Sequence, residues 1–289
     1  MTAVPSSHTG EPHGVGLDEH VAVLVDEVTK LRRLIDATEH RLRVLEANLE
    51  AHLTSDTHGG MQVGTRFPAL YRDFTDRFRG STQEVRAKLR GYLPDARRVV
   101  RDGGVVDLGA GRGEWLLLLR EIGVPARGVD GNADFVDAGR CRGLAIDLED
   151  GLTYLRRLAA DSVDMVTAFH VIEHLAVEEL LAIVDAARAV LRPGGCILLE
   201  TPNPANLTTA ACDFYNDPTH RSPLPSALME YLLTAQGFVD VEVRAVHPKP
   251  VPWSIAAGGD DAVVEVRDVV SHVLFGPQDY AILGYKPGG

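Results

Sequence analysis

Val105-Val-Asp-Leu-Gly-Ala-Gly-Arg-Gly-Glu-Trp115 reads as a buried strand that runs into a glycine-rich turn and then a helix. Glycine lets a backbone reach positive φ and approach a ligand without a Cβ in the way. The helix that follows offers the ligand its free N–H groups. A dinucleotide site uses GxGxxG, with a pyrophosphate on those groups. Here the glycines are spaced Gly109-x-Gly111-x-Gly113, and Asp107 stands ahead of them. A carboxylate there repels a pyrophosphate and suits a cationic or amine-bearing ligand.

Downstream, the pattern continues as strands alternating with helices, the mark of a parallel α/β sheet. Strands are expected at 104–108, 126–130, 144–147, 163–169, 195–201, 238–246 and 279–286. Helices are expected at 113–122, 132–140, 151–160, 176–191 and 225–236. The stretch from 247 to 278 reads as irregular. No internal repeat is visible.

Upstream, residues 67–98 read as a helical preface. Phe67, Leu70, Tyr71, Phe74 and Phe78 recur at helical spacing. A second short helix is expected from a cap at Ser81 to Tyr92, before Pro94. Residues 54–66 are polar and Gly-rich and read as a linker. Residues 17–53 carry a heptad seam: Leu17, Val21, Leu24, Val28, Leu31, Ile35, Thr38, Leu42, Leu45 and Leu49. A 3.5-residue period held that long favours a left-handed coiled coil, hence a homodimer or a docking stalk. Residues 1–16 read as a disordered tail.

The chain has 289 residues, 45% hydrophobic and 24% charged, which is ordinary for a globular protein. Its net charge of -12 argues against a general nucleic-acid binder. Cys141, Cys196 and Cys212 are far apart and form no CxxC pattern, so a reducing compartment is expected. The N-terminus shows no apolar signal core, and no apolar run reaches the roughly 20 residues of a membrane span. The expected location is the cytoplasm.

Ligands in open α/β sheets bind outside the carboxyl ends of the strands. At the fourth of these ends stands His170-Val-Ile-Glu173-His174. If a helical turn begins at His170, then Glu173 and His174 lie at i+3 and i+4 on one face. That spacing makes a general-base pair or half of a metal site. The fifth strand opens a long loop, a common form for an active-site lid, with Asn203, Asn206, Asp217, His220 and Arg221 suited to a polyhydroxylated substrate. Trp115 reads as packing. Glu114 reads as a first-turn acid favoured by the helix dipole, with a ligand amine as the alternative partner.

DLGAGRGEW resembles motif I of the class I, Rossmann-like methyltransferases that use S-adenosylmethionine (SAM). The resemblance extends over roughly Val99 to Tyr285. It implies a mostly parallel sheet whose last strand is antiparallel. It also implies a SAM site built from Asp107, Gly109, Gly111, Gly113, Asp130, Asp147 and Leu148. In that family the acid at Asp130 binds both ribose hydroxyls. The acid at Asp147 sits near the adenine amine, with the N–H of Leu148 on the ring. Leu191-Arg-Pro-Gly-Gly195 resembles the family's turn into strand five. VIEHL with TPNP resembles the branch holding ubiquinone-biosynthesis O-methyltransferases and plant small-RNA 2′-O-methyltransferases, where an ExxEH motif and a later His hold Mg²⁺. The matching set is Glu173, His174 and His220, with His170 where the family has Glu. Such a set is softer than Mg²⁺ prefers, so another divalent ion is the alternative. TPNP followed by DPTHR resembles methyltransferases of bacterial polysaccharide and glycoside pathways. His174 then takes the general base role, with His170 and His220 as the other candidates and Glu173 beside them. The expected acceptor is a hydroxyl of a sugar, glycan or glycosylated small molecule. The alternatives are N- or O-methylation of a natural product, a non-catalytic SAM-binding scaffold acting through the coiled coil, and a nicotinamide-dependent oxidoreductase.

Overall fold

A computed structural model describes residues 78–251 and 261–288, together with Val28 and Arg32. The chain divides into two units, Met1–His58 and Gly59–Gly289. In the first, Val28 and Arg32 are helical. The expected tail, coiled coil and linker otherwise lie outside the described residues, as does most of the Phe67–Phe78 stripe.

In the second unit the described chain opens with α1, Thr82–Leu89. Ser81 and Glu84 form a reciprocal capping box: Ser81 Oγ accepts from Glu84 N at 3.3 Å, and Glu84 Oε2 accepts from Ser81 N at 2.8 Å. Pro94 does not end the helical preface. It sits in the first turn of α2, Leu93–Val99, where a missing N–H costs nothing.

There follow β1 (Val105–Leu108), α3 (Glu114–Glu121), β2 (Ala126–Asp130), α4 (Ala133–Cys141), β3 (Ile146–Leu148), α5 (Gly151–Arg157) and β4 (Val163–Phe169). Then come α6 (Val177–Val190), β5 (Leu191–Pro202), α7 (Leu207–Ala211), α8 (Ser226–Ala235), β6 (Val239–Pro248), α9 (Asp261–Phe275) and β7 (Pro277–Tyr285). α9 occupies the stretch expected to be irregular. Its sequence is valine-rich, and β-branched residues read as poor helix formers. α7 and a short 3₁₀ turn at Asp213–Asn216 give structure to the loop after β5.

The seven strands form one sheet in the order β3-β2-β1-β4-β5-β7-β6. β1 to β5 are parallel, and β7 runs antiparallel between β5 and β6. This is the Rossmann-like methyltransferase sheet with its last strand reversed. Both faces of the central strands are buried, as a parallel sheet requires. Val106, Val166, Ile197 and Leu199 pack on one side with Leu180 and Val184 of α6 and Met229 and Leu233 of α8. Val105, Met165, Cys196 and Leu198 pack on the other with Trp115, Leu118 and Leu119 of α3 and Leu89 and Tyr92 of the preface. The strand order reverses direction between β1 and β4, which opens a crevice at their carboxyl ends. No described helix is long and apolar enough to cross a membrane.

Candidate functional site

A cavity of about 990 Å³ occupies that crevice. Its size is at the upper end for a ligand pocket. Gly109, Gly111 and Asp130 line one end, and His170, His174 and His220 line the other.

At the first end, Gly109, Gly111 and Gly113 have φ of 63°, 52° and 80°. A Cβ on Gly109 would fall 2.5 Å from Val171 Cγ2, and one on Gly113 would fall 2.4 Å from Leu144 Cδ1. Both sites therefore exclude a side chain by backbone angle and by space. Asp130 Oδ2 accepts from Gly111 N and Oδ1 from Asn132 N, each at 2.8 Å. This locks the glycine turn to the end of β2 and leaves a lone pair on each oxygen for a further donor. Burial raises the Asp130 pKa, against the two backbone bonds and the charge of Arg79. Asp107 is buried and accepts from Thr167 Oγ1 at 2.6 Å. Burial pushes its carboxyl up to about 7, although Thr167 and Arg79 oppose the rise.

Asp147 and Leu148 stand beside Val129 and Asp130 in the β2–β3 register but do not line the cavity. The Asp147 carboxylate lies 3.5 Å from Arg127 and 3.6 Å from Arg157. Glu114 is paired with Arg112 at 2.7 Å. Trp115 packs edge-on against Phe169 at 5.5 Å, as its packing role requires.

Arg79 escaped the sequence reading. It lines the cavity and donates from Nη2 to Phe169 O at 2.9 Å. Its Nη1 lies 3.5 Å from where a Gly111 Cβ would stand, and its charge favours the ionised forms of Asp107 and Asp130. Nothing in RDFTDRFRG distinguishes it from its neighbouring arginines.

The second end departs from the expected one-faced helical turn. His170 takes a left-handed backbone, φ 56°, and the 3₁₀ turn begins only at Ile172. The His170 ring is flanked by carboxylates: Nδ1 is 3.2 Å from Glu173, and Nε2 is 3.4 Å from Glu200 and 3.8 Å from Asp279. Burial lowers its pKa, but Asp279, Glu173 and Glu200 outweigh that and raise it to about 10. His170 is thus a cation at neutral pH, a poor proton acceptor.

His174 faces the loop after β5 instead. Its Nδ1 is 2.8 Å from Thr219 Oγ1. His220 Nδ1 is 2.6 Å from the Phe214 carbonyl, and the two rings meet edge-on at 4.7 Å. Glu173 is fully buried between these groups. Its Oε2 accepts from Thr201 at 2.9 Å, while Oε1 lies 3.2 Å from His170 Nδ1 and 3.9 Å from His220 Nε2. Burial raises the Glu173 pKa, but His170 and His174 outweigh it and the net shift is downward. Desolvation lowers the His220 pKa. One ligand atom each from Glu173, His174 and His220 lie within 4.8 Å of one another, as do atoms of His170, Glu200 and Asp279.

The other loop candidates do other work. Asn203 Nδ2 and Asn206 Nδ2 donate to the backbone of Pro277 and Gly276. Arg221 is a surface residue near Glu179. Glu200 and Asp279 were missed. Glu200 accepts from Tyr92 and lies 3.2 Å from His247 Nε2, and Asp279 lies 3.5 Å from Lys88. A lone acid ending the apolar run Cys196–Leu199 is the same signal that Asp130 gives at the end of β2, and it would have found Glu200.

A glycine turn after β1, an acid ending β2 and a crevice at the β1–β4 reversal define the methyltransferase class of α/β protein. Residues 69–243 match the family model described as a methyltransferase domain, and the chain belongs to that family. A SAM-dependent methyltransferase from Archaeoglobus fulgidus has a crystal structure similar to this chain. The identity is 32% and the TM-score 0.66, over 75% of this chain and 99% of that one. A Mycolicibacterium smegmatis protein described as a probable S-adenosylmethionine-dependent methyltransferase is 32% identical over 134 residues, 46% of this chain. The chain spans about half the length, 51%, of that curated relative. A complex of the Haloferax volcanii Trm112 methyltransferase activator with a methyltransferase shares the fold, with TM-score 0.53 at 19% identity, over 75% of this chain and 98% of that one.

Proposed function

We propose that this chain transfers the methyl group of SAM to a hydroxyl of a sugar, a glycan or a glycosylated small molecule, with His174 as the base. One observation carries the reading. Across the cavity from the glycine turn stand two histidines whose Nδ1 atoms are both engaged, so that Nε2 is the nitrogen each can turn to an acceptor.

In this reading Gly109, Gly111 and Gly113 give the cofactor a close backbone approach. Asp130 uses its remaining lone pairs on the ribose hydroxyls. Asp107 balances the methionine ammonium, and Arg79 the methionine carboxylate. The adenine then extends past the cavity lining, from Asp130 toward Asp147 and Leu148 on the neighbouring strand. Bound SAM supplies an electrophilic methyl on a sulfonium sulfur. An alcohol does not ionise at pH 7 unaided, so His174 Nε2 accepts its proton as the new C–O bond forms. Residues 17–53 serve as the homodimer stalk.

A divalent ion on Glu173, His174 and His220 is the second reading, favoured by one ligand atom of each lying within 4.8 Å of the others. Two nitrogens and one oxygen fit a borderline ion such as Zn²⁺ better than Mg²⁺.

Calorimetric titration with SAM, S-adenosylhomocysteine and NAD, followed by methyl-transfer assays on glycan acceptors with and without EDTA, tests these readings. We expect the two adenosyl ligands to bind and NAD not to. Binding of NAD alone would sink the class of reaction. SAM binding without turnover on hydroxyl acceptors would favour an amine acceptor or a scaffold. Loss of turnover in EDTA, restored by Zn²⁺, would select the metal reading.

A further inference from the structure

The proton on His174 is placed by its neighbours. Asp217 Oδ1 accepts from Thr219 N at 2.8 Å and from Thr219 Oγ1 at 2.6 Å. An ionised carboxylate only accepts, and a threonine hydroxyl has a single proton to give. Once that proton goes to Asp217, Thr219 Oγ1 can only accept from His174 Nδ1, 2.8 Å away. His174 Nδ1 must then carry the ring hydrogen, and a neutral imidazole has only one. The reverse arrangement would give up a short charge-assisted bond for a neutral one.

His220 reaches the same state by a separate device, since the Phe214 carbonyl can only accept from its Nδ1. A further bond pins the loop in place: Arg221 N donates to Glu173 O at 2.9 Å, beside both histidines. The loop after β5 thus sets the protonation of a ring carried by the turn after β4.

We infer that Thr219, anchored on Asp217, is a positioning residue that holds His174 as the Nδ1–H tautomer and presents Nε2 as its single acceptor atom. This rests on the reading of His174 as the base, and it adds the group that aims it. A His174 in the other tautomer would offer the cavity an N–H, which cannot accept the hydroxyl proton.

Long-range ¹H–¹⁵N correlation of the imidazole rings in the full chain tests this without knowledge of the acceptor. The wild type is expected to show the neutral His174 ring with Nδ1 protonated and Nε2 bare, and Thr219→Ser to show the same. Thr219→Val, which keeps the shape and loses the hydroxyl, is expected to show a mixture of tautomers. In turnover, Thr219→Val is expected to lose at least about tenfold in kcat, a part of the roughly 10²–10⁴ that general-base catalysis supplies. Its KM for SAM should stay unchanged, and Thr219→Ser should recover most of kcat. An Nε2–H tautomer in the wild type, or an unaltered tautomer in folded Thr219→Val, overturns the inference. The expected tautomers in a protein that methylates no hydroxyl would overturn the reading of His174 and leave the relay standing.

Discussion

The two ends of the cavity are made of different materials. At the β1–β2 end the polar groups are largely backbone. Three glycines shape the turn, and Asp130 is held by two main-chain N–H groups within two residues of β2 or in the neighbouring turn. At the β4–β5–β7 end they are side chains from segments far apart in sequence: His170 and Glu173 after β4, Glu200 in β5, His220 in the loop beyond, and Asp279 in β7. The first end holds a ligand by where the chain runs. The second holds its groups by pairing them with one another. A site of the first kind tolerates few substitutions in its turn, whereas one of the second kind can change its chemistry by exchanging a side chain.

If the ends are separable, the largest expected effect is confined to one of them. His174→Ala should lower kcat on a hydroxyl acceptor by about 10²–10⁴-fold. The SAM dissociation constant should stay within about twofold, read by calorimetry, whereas Asp130→Ala should show the reverse pattern. Comparable losses of SAM affinity in both variants would break the division. An amine acceptor would instead leave His174→Ala active.

A smaller effect sharpens the first end. Arg79→Ala should weaken SAM about tenfold, the scale of one charge-assisted bond of about 1.4 kcal/mol. Binding of 5′-methylthioadenosine, which has neither carboxylate nor ammonium, should be unaltered. Equal weakening of the two ligands would remove Arg79 from the carboxylate.

A further effect is on stability rather than on binding. Asp107 has its carboxyl pushed up to about 7 by burial, above its unfolded value. The folded chain therefore binds the extra proton, and stability from this group is full below about pH 4 and lost as the pH rises toward 7. Asp107→Asn, which does not titrate, should lack that decline. A melting-temperature difference between the two proteins that does not vary from pH 5 to pH 8 would show that Asp107 is ionised throughout.

How much of this was legible in the sequence follows the same division. The glycine turn, the position of Asp130 at the end of β2, the strand order from β1 to β6 and the helices α3 to α6 and α8 were legible because each rests on local spacing. Thr219 and Arg79 were not, because their roles exist only where distant segments meet. His170 was legible as a candidate, but its ion-pair partners were not. Its neighbours Glu200 and Asp279 come from β5 and β7, and they turn an ordinary imidazole into a cation. α9 was hidden by its valines, and the helical turn expected to begin at His170 by a left-handed residue that no local pattern announces.

The place of β7 between β5 and β6 has a consequence for the order of assembly. A growing chain makes β6 first, yet in the described sheet the only partner of β6 is β7. β6 must wait, with its hydrogen-bonding edge unpaired, until β7 is synthesised and inserts beside β5. β1 to β5, with the glycine turn and Asp130, need no such delay. Asp279 lies in β7, so the wall beside His170 depends on the last strand in the sequence, whereas the glycine turn and Asp130 belong to the first two.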